Sequence, residues 1–159
     1  MTVADELLLL LQFASSLFMT GLIWFVQLVH YPLMKFADAQ QFSSFCQAHQ
    51  NRTTWVVAGP MFLELGTALW LFASSPLMRQ SLAYQGALVL LIVIWISTIV
   101  RQMPLHQKLL RGYDAECIEC LVRSNWMRTM AWTVRSIVLG WLMLSSLVFE
   151  QPNTQVLGC

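Results

Sequence analysis

Four apolar runs dominate the chain, at about 7–29, 54–73, 83–100 and 129–149, and each is close to the roughly 20 residues that an α-helix needs to cross a bilayer. The first run is not uniformly apolar. Gln12, Ser16, Thr20, Ile23, Gln27 and His30 recur in it at steps of three and four, which sets them on one helical face. Lipid offers polar groups no partner, so that face is expected to point into a bundle. Between the runs, Phe36, Phe42 and Phe45 alternate with Asp38, Gln40, Gln41 and Gln47, and Leu109, Leu110, Tyr113, Cys117, Ile118 and Leu121 alternate with charges. These stretches predict helices lying at the membrane interface. Thr53 or Thr54 is expected to cap the second span, and Gly59-Pro60 to kink it. The whole pattern predicts an all-α, four-transmembrane-helix bundle with two short amphipathic interfacial helices on the cytoplasmic side, as one integral membrane domain over 1–159.

Composition agrees: 57% apolar and 11% charged residues are too greasy for an ordinary soluble domain of this size. The first run has no Lys or Arg ahead of it and no clear cleavage site, so it reads as a retained helix rather than a signal peptide. Charge then supplies direction. Lys35, Arg52, Arg101, Lys108, Arg111, Arg123 and Arg128 belong to the first and third connections, against Arg79 alone in the second. That bias places those connections in the cytoplasm and both termini on the non-cytoplasmic side of a bacterial inner membrane. Topology accounts for the basic residues, so nothing points to nucleic acid. The expected partners are the lipid bilayer and a small-molecule substrate, and four short helices leave room for a homo-oligomer.

The two halves share a plan: span, proline-marked exit, amphipathic segment, and an entry with an Arg-Thr pair and a Trp. His49 to Trp55 resembles Asn125 to Trp132 in order. A duplicated hairpin of this kind would bring both polar entries together at one mouth of the bundle.

Glu64 lies about ten residues into the second run, hence roughly 15 Å deep. A carboxylate there must be protonated, paired or ligating. Arg135, at comparable depth on the fourth run, is the expected partner, and a purely structural ion pair is the plain alternative. His30, His49 and His106 are all the histidines present, each near the same end of a different span. With Glu64 they could hold Fe, Cu or Zn, or His30 and His106 could be axial ligands of a haem. No two stand at the spacing that puts ligands on one helix face, so packing alone would have to assemble them. Arg128 and Arg135, with Arg52 and Arg101, form a positive field suited to an anionic or quinone-like group, lipid phosphate being the simpler occupant. Glu64, Arg128 and Arg135 are thus the candidate catalytic residues.

Cys117-Ile-Glu-Cys120 is a CxxC, as in the four-span thiol oxidoreductases of the vitamin K epoxide reductase and DsbB types, but it falls on the reducing side and has no second pair. Cys46 shares that side, and Cys159 is expected on the other. The Trp residues are expected to serve mainly as belt and packing.

At Gln27 to Pro32 and Asn125 to Arg135 the chain resembles small bacterial four-helix membrane proteins, including the anthrone-oxygenase-like group, over most of its hydropathy plan. That resemblance implies a redox enzyme as an admissible function, while a His and Pro closing the first span is similar in layout to haem-binding membrane protoporphyrinogen oxidases. Three readings follow: a metal- or haem-dependent membrane oxidoreductase acting on a lipophilic or anionic small molecule, a proton-coupled small-molecule or anion binding or transport protein, and a structural membrane subunit.

Overall fold

The computed structural model describes residues 2–149, so Cys159 lies outside the described residues. The chain is all-α. Helix α1 runs Val3–Phe36, α2 Phe42–Ser74, the one-turn α3 Pro76–Gln80, α4 Leu82–Leu109 and α5 Ala115–Phe149. Thr2 opens α1 with a reciprocal capping box to Asp5, Ser81 caps α4, and the Asp114 carboxylate accepts from the Cys117 N–H at the start of α5. Each satisfies a donor that a helix start leaves free.

The predicted four-span bundle is not what forms. Among the described residues three helices, α1, α2 and α4, are long and apolar enough to cross a membrane. α5 has 35 residues, but it carries Glu116, Glu119 and Arg123 near its start and buries Asn125, Arg128, Thr129, Arg135 and Ser136 further on. Its length satisfies the requirement for a span, but its described part, which mixes Thr129, Thr133, Arg135, Ser136, Ser145 and Ser146 with the apolar residues, is not apolar enough. The separate interfacial helices are also absent. The stretch from Phe42 runs without a break into α2, and that from Ala115 into α5. Neither Thr53 nor Thr54 caps, because both lie inside α2, and the Thr53 hydroxyl meets His49 Nδ1 one turn back at 3.1 Å. Pro60 sits inside α2, which continues past it.

The prolines at the other end are accommodated in a different way. Tyr31 N–H reaches back five residues to Val26 C=O, and Met103 N–H to Thr98 C=O, so Val26–His30 and Thr98–Gln102 are π-helical turns immediately before Pro32 and Pro104. A proline ring clashes with the carbonyl four residues back, and widening that turn removes the clash without ending the helix. Both spans therefore overrun their predicted ends, α1 to Phe36 and α4 to Leu109. The same device sits at the same place in each half, and each π turn ends on a side chain that meets the next long helix: His30 stacks on His49, and Gln102 donates to Ser124.

α1 packs along both α2 and α5, and α5 along α4, while Met103–Leu109 of α4 closes against α2. Two apolar clusters fill the interior. One, around Leu9, Leu71, Tyr84, Ala87 and Leu139, lies toward the chain start; the other, around Met34, Phe42, Leu109, Ile118 and Leu121, lies at the end where the basic residues gather. Outward, α1, α2 and α4 expose Leu17, Phe25, Phe62, Trp70, Ile92 and Ile99, the surface expected of helices embedded in lipid.

Candidate functional site

Polar side chains are buried in two zones. In the central one, Glu64 and Arg135 are both fully enclosed, with Arg135 Nε 3.7 Å from Glu64 Oε1. Trp132 Nε1 donates to Glu64 Oε2 at 3.1 Å, and Arg135 Nη1 donates to Ala87 C=O at 2.6 Å. Around them Ser16, Thr20 and Ser136 hydrogen-bond to one another, and Gln12 donates to the Tyr84 hydroxyl, which donates to Ala68 C=O. The α1 seam thus turns inward, as its spacing requires. Glu64 is matched in charge by Arg135.

The second zone lies at the basic end. Gln27, from the α1 seam, accepts from Asn125 Nδ2 at 2.9 Å, and Asn125 in turn accepts from Arg128 at 3.2 Å. Arg128 is only 7% exposed. Its guanidinium lies 5.0 Å from the Trp132 ring centroid, its Nε has no hydrogen-bond partner, and among the described residues no carboxylate pairs with it. Beside it, the Tyr31 hydroxyl meets His106 Nε2 at 3.0 Å. His49 contacts His30 on one side, with ring centroids 4.2 Å apart, and His106 on the other at 5.7 Å. A cavity of about 230 Å³ opens here between α2 and α4. Met19, Leu22, Ile23 and Val57 line its apolar wall, and Tyr31, His49, Gln102, His106 and Arg128 its polar one.

Packing assembles the three histidines and leaves Glu64 out. Glu64 belongs to the central zone, so the proposed ligand set of His30, His49, Glu64 and His106 does not converge, and among the described residues no group of three or more His, Cys, Asp or Glu side chains is placed to hold a metal ion. Ring orientation gives the reason. A metal ligand aims an in-plane nitrogen lone pair at the ion, whereas His30 and His49 stack face to face, only 24° from parallel.

Arg128 lines the cavity, while Arg135 and Glu64 lie behind it. Arg52 and Arg101 are exposed. In the CxxC, Cys117 is buried and Cys120 exposed, and both are free, as is buried Cys46. The expectation that tryptophans are belt and packing misses Trp132, which is fully buried and touches both zones: its ring carries Arg128 and its N–H holds Glu64. One signal was available, since Trp132 stands three residues before Arg135 and four after Arg128 and so shares their face. Compared with known proteins, the chain matches no family model, no curated protein and no solved structure.

Proposed function

We propose that this is an integral membrane protein whose cavity binds a lipophilic small molecule through an acidic or carbonyl oxygen head. Arg128 receives that oxygen, and the hydrogen-bonded Tyr31 and His106 exchange a proton with it. The concentration of basic residues around this end of the helices favours the cytoplasmic leaflet for the cavity.

One observation carries the reading: a buried guanidinium with an unpartnered N–H stands at the wall of an otherwise largely apolar cavity, with no carboxylate paired to it. A cation in that setting is costly unless an oxygen acceptor completes it. The apolar wall and the position between two lipid-facing helices favour a ligand that arrives from the bilayer. Proton exchange rests on the Tyr31–His106 contact, a hydroxyl and a ring nitrogen 3.0 Å apart at the cavity wall, each able to donate or accept. Of the three readings from sequence, binding or transport is favoured over a metal- or haem-dependent oxidoreductase, since the histidines stack instead of converging.

The test compares decanoate, decylubiquinone and decanol as ligands of the purified protein in mild detergent. Decanoate or decylubiquinone is expected to bind saturably, one per chain, and decanol to bind far more weakly. Arg128→Gln is expected to lower the affinity about tenfold to a hundredfold, the loss typical of a hydrogen bond to a charged group. Equal binding of all three compounds, or an unchanged affinity in Arg128→Gln, would overturn the proposal.

A further inference from the structure

A second groove lies on the outer side of the histidine stack, between α1 and α2. Leu22, Phe25, Val26 and Val56 form its walls, and His30, His49 and Arg52 stand at its basic end. Arg52 is exposed, and among the described residues it has neither an ion pair nor a hydrogen bond. His30 Nε2, beside it, is buried and also lacks a partner. Phe25, Trp55 and Val56 are 55%, 85% and 47% exposed on helices of membrane length. An aqueous surface disfavours such an apolar stretch capped by a free cation, and the edge of a bilayer suits it.

Depth decides the occupant. Glu64 lies near the middle of the apolar run of α2, and Arg52 is twelve residues closer to the basic end, which is about 18 Å along the helix. Half of a bilayer's hydrocarbon core is about 15 Å. Arg52 therefore stands at the level of lipid phosphates when Glu64 is at the midplane, and Val56, Phe25 and Leu22 continue from it into the hydrocarbon. We infer that the α1–α2 groove is a binding site for one anionic phospholipid, its phosphate on Arg52 and an acyl chain against Leu22, Phe25 and Val56. This site adjoins the Arg128 cavity, sharing Leu22, Val26, His49 and Thr53 with it, but Phe25, His30, Arg52 and Val56 line the groove and not the cavity.

The experiment reconstitutes the full chain in vesicles of equimolar phosphatidylglycerol and phosphatidylcholine, extracts it in mild detergent, and counts the retained lipids by native mass spectrometry. The wild-type chain is expected to retain one phosphatidylglycerol in preference to phosphatidylcholine. Arg52→Gln is expected to reduce that preference about fivefold, the ratio that one basic residue near an anionic surface supplies. Val56→Trp fills the groove without changing charge and is expected to lose the retained lipid. Arg79→Gln, at the opposite end, is expected to behave as wild type. Inorganic phosphate should not displace the lipid, since it lacks the chain that fills the groove. Unfolding midpoints of each variant show whether a loss of lipid reflects a loss of fold. Equal retention of both lipids by the wild type, an Arg52→Gln protein that folds and keeps its preference, or displacement by inorganic phosphate would each overturn the inference.

Discussion

The two buried polar zones contain the same kinds of residue and differ in whether the buried charge meets a counter-charge. Hydrogen bonding is incomplete in both: Arg135 Nε and Nη2 and Glu64 Oε1 lack a hydrogen-bond partner, as Arg128 Nε does. Around Glu64, charge is matched: Arg135 faces it, Trp132 donates to it, and Ala87 C=O takes another guanidinium N–H. Around Arg128, charge is left over: its side chain meets a neutral amide, the Tyr31 hydroxyl and an aromatic face, and a cavity opens beside it. A matched buried charge is held by its own neighbours, and an unmatched one beside open space is where an acceptor from outside the chain can complete it. Depth in the membrane alone, which makes Glu64 the most prominent residue in the sequence, does not separate these roles. The presence of an internal counter-charge does.

The largest effect should come from unbalancing the matched zone. Glu64→Leu leaves Arg135 buried without its counter-charge and is expected to cost about 3–5 kcal/mol, while the double change Glu64→Leu with Arg135→Met should recover most of that loss. Unfolding midpoints in detergent give both values. A single variant as stable as wild type, or a double variant no better than the single one, would mean that the pair is not structural and that the contrast with Arg128 is misplaced.

Arg128 predicts the opposite sign. Removing a cation that has no carboxylate partner relieves a desolvation cost, so Arg128→Gln should unfold no earlier than wild type and gain about 1 kcal/mol, even as it loses the cavity ligand. A large destabilisation of Arg128→Gln would make this guanidinium a structural tie like Arg135. Of similar size and opposite sign is Tyr31→Phe, which strips His106 Nε2 of its 3.0 Å partner. It should cost about 1 kcal/mol and alter the pH dependence of decanoate binding while the tightest affinity stays close to wild type. An unchanged pH profile would remove Tyr31 and His106 from the proton exchange.

Much of this contrast was legible in the sequence, though unevenly. The α1 seam was: Gln12, Ser16, Ile23 and Gln27 are all buried as their spacing requires. Helical rise placed Glu64 and Arg135 at one depth, and they meet. Periodicity also marked Phe42, Cys117, Ile118 and Leu121 as apolar positions, and all four are buried, but they belong to long continuous helices and not to separate interfacial ones. A proline reads as a helix end, because its cost is local and its remedy, a π turn formed by the preceding residues, leaves no compositional mark. The fourth apolar run, 129–149, counts as a span by length with Arg135 already inside it. Its Thr, Ser and Trp residues dilute it, so among the described residues it falls short of the apolar content of the other three helices. The histidine stack depends on which faces of α1, α2 and α4 meet at the mouth, and no single-helix pattern contains that information.

The smallest expected effect lies outside both zones, where the α4–α5 connection is tied by Lys108 to Asp114 at 2.6 Å. The hydrogen bond and charge of Lys108 hold the Asp114 carboxyl below its ordinary value. A carboxylate lowered on folding contributes stability above its unfolded value, near pH 4, and loses it as pH falls through the lower folded value. Asp114→Asn keeps a capping oxygen for the Cys117 N–H and removes only the charge. The gap in unfolding midpoint between wild type and Asp114→Asn should therefore stay constant from pH 8 to about pH 5 and close only below about pH 4. A gap that varied between pH 5 and 8 would have to come from a group that titrates there. Their contact holds Lys108 above and Asp114 below the ordinary value, so such a gap would mean that this pair is not what the substitution changes.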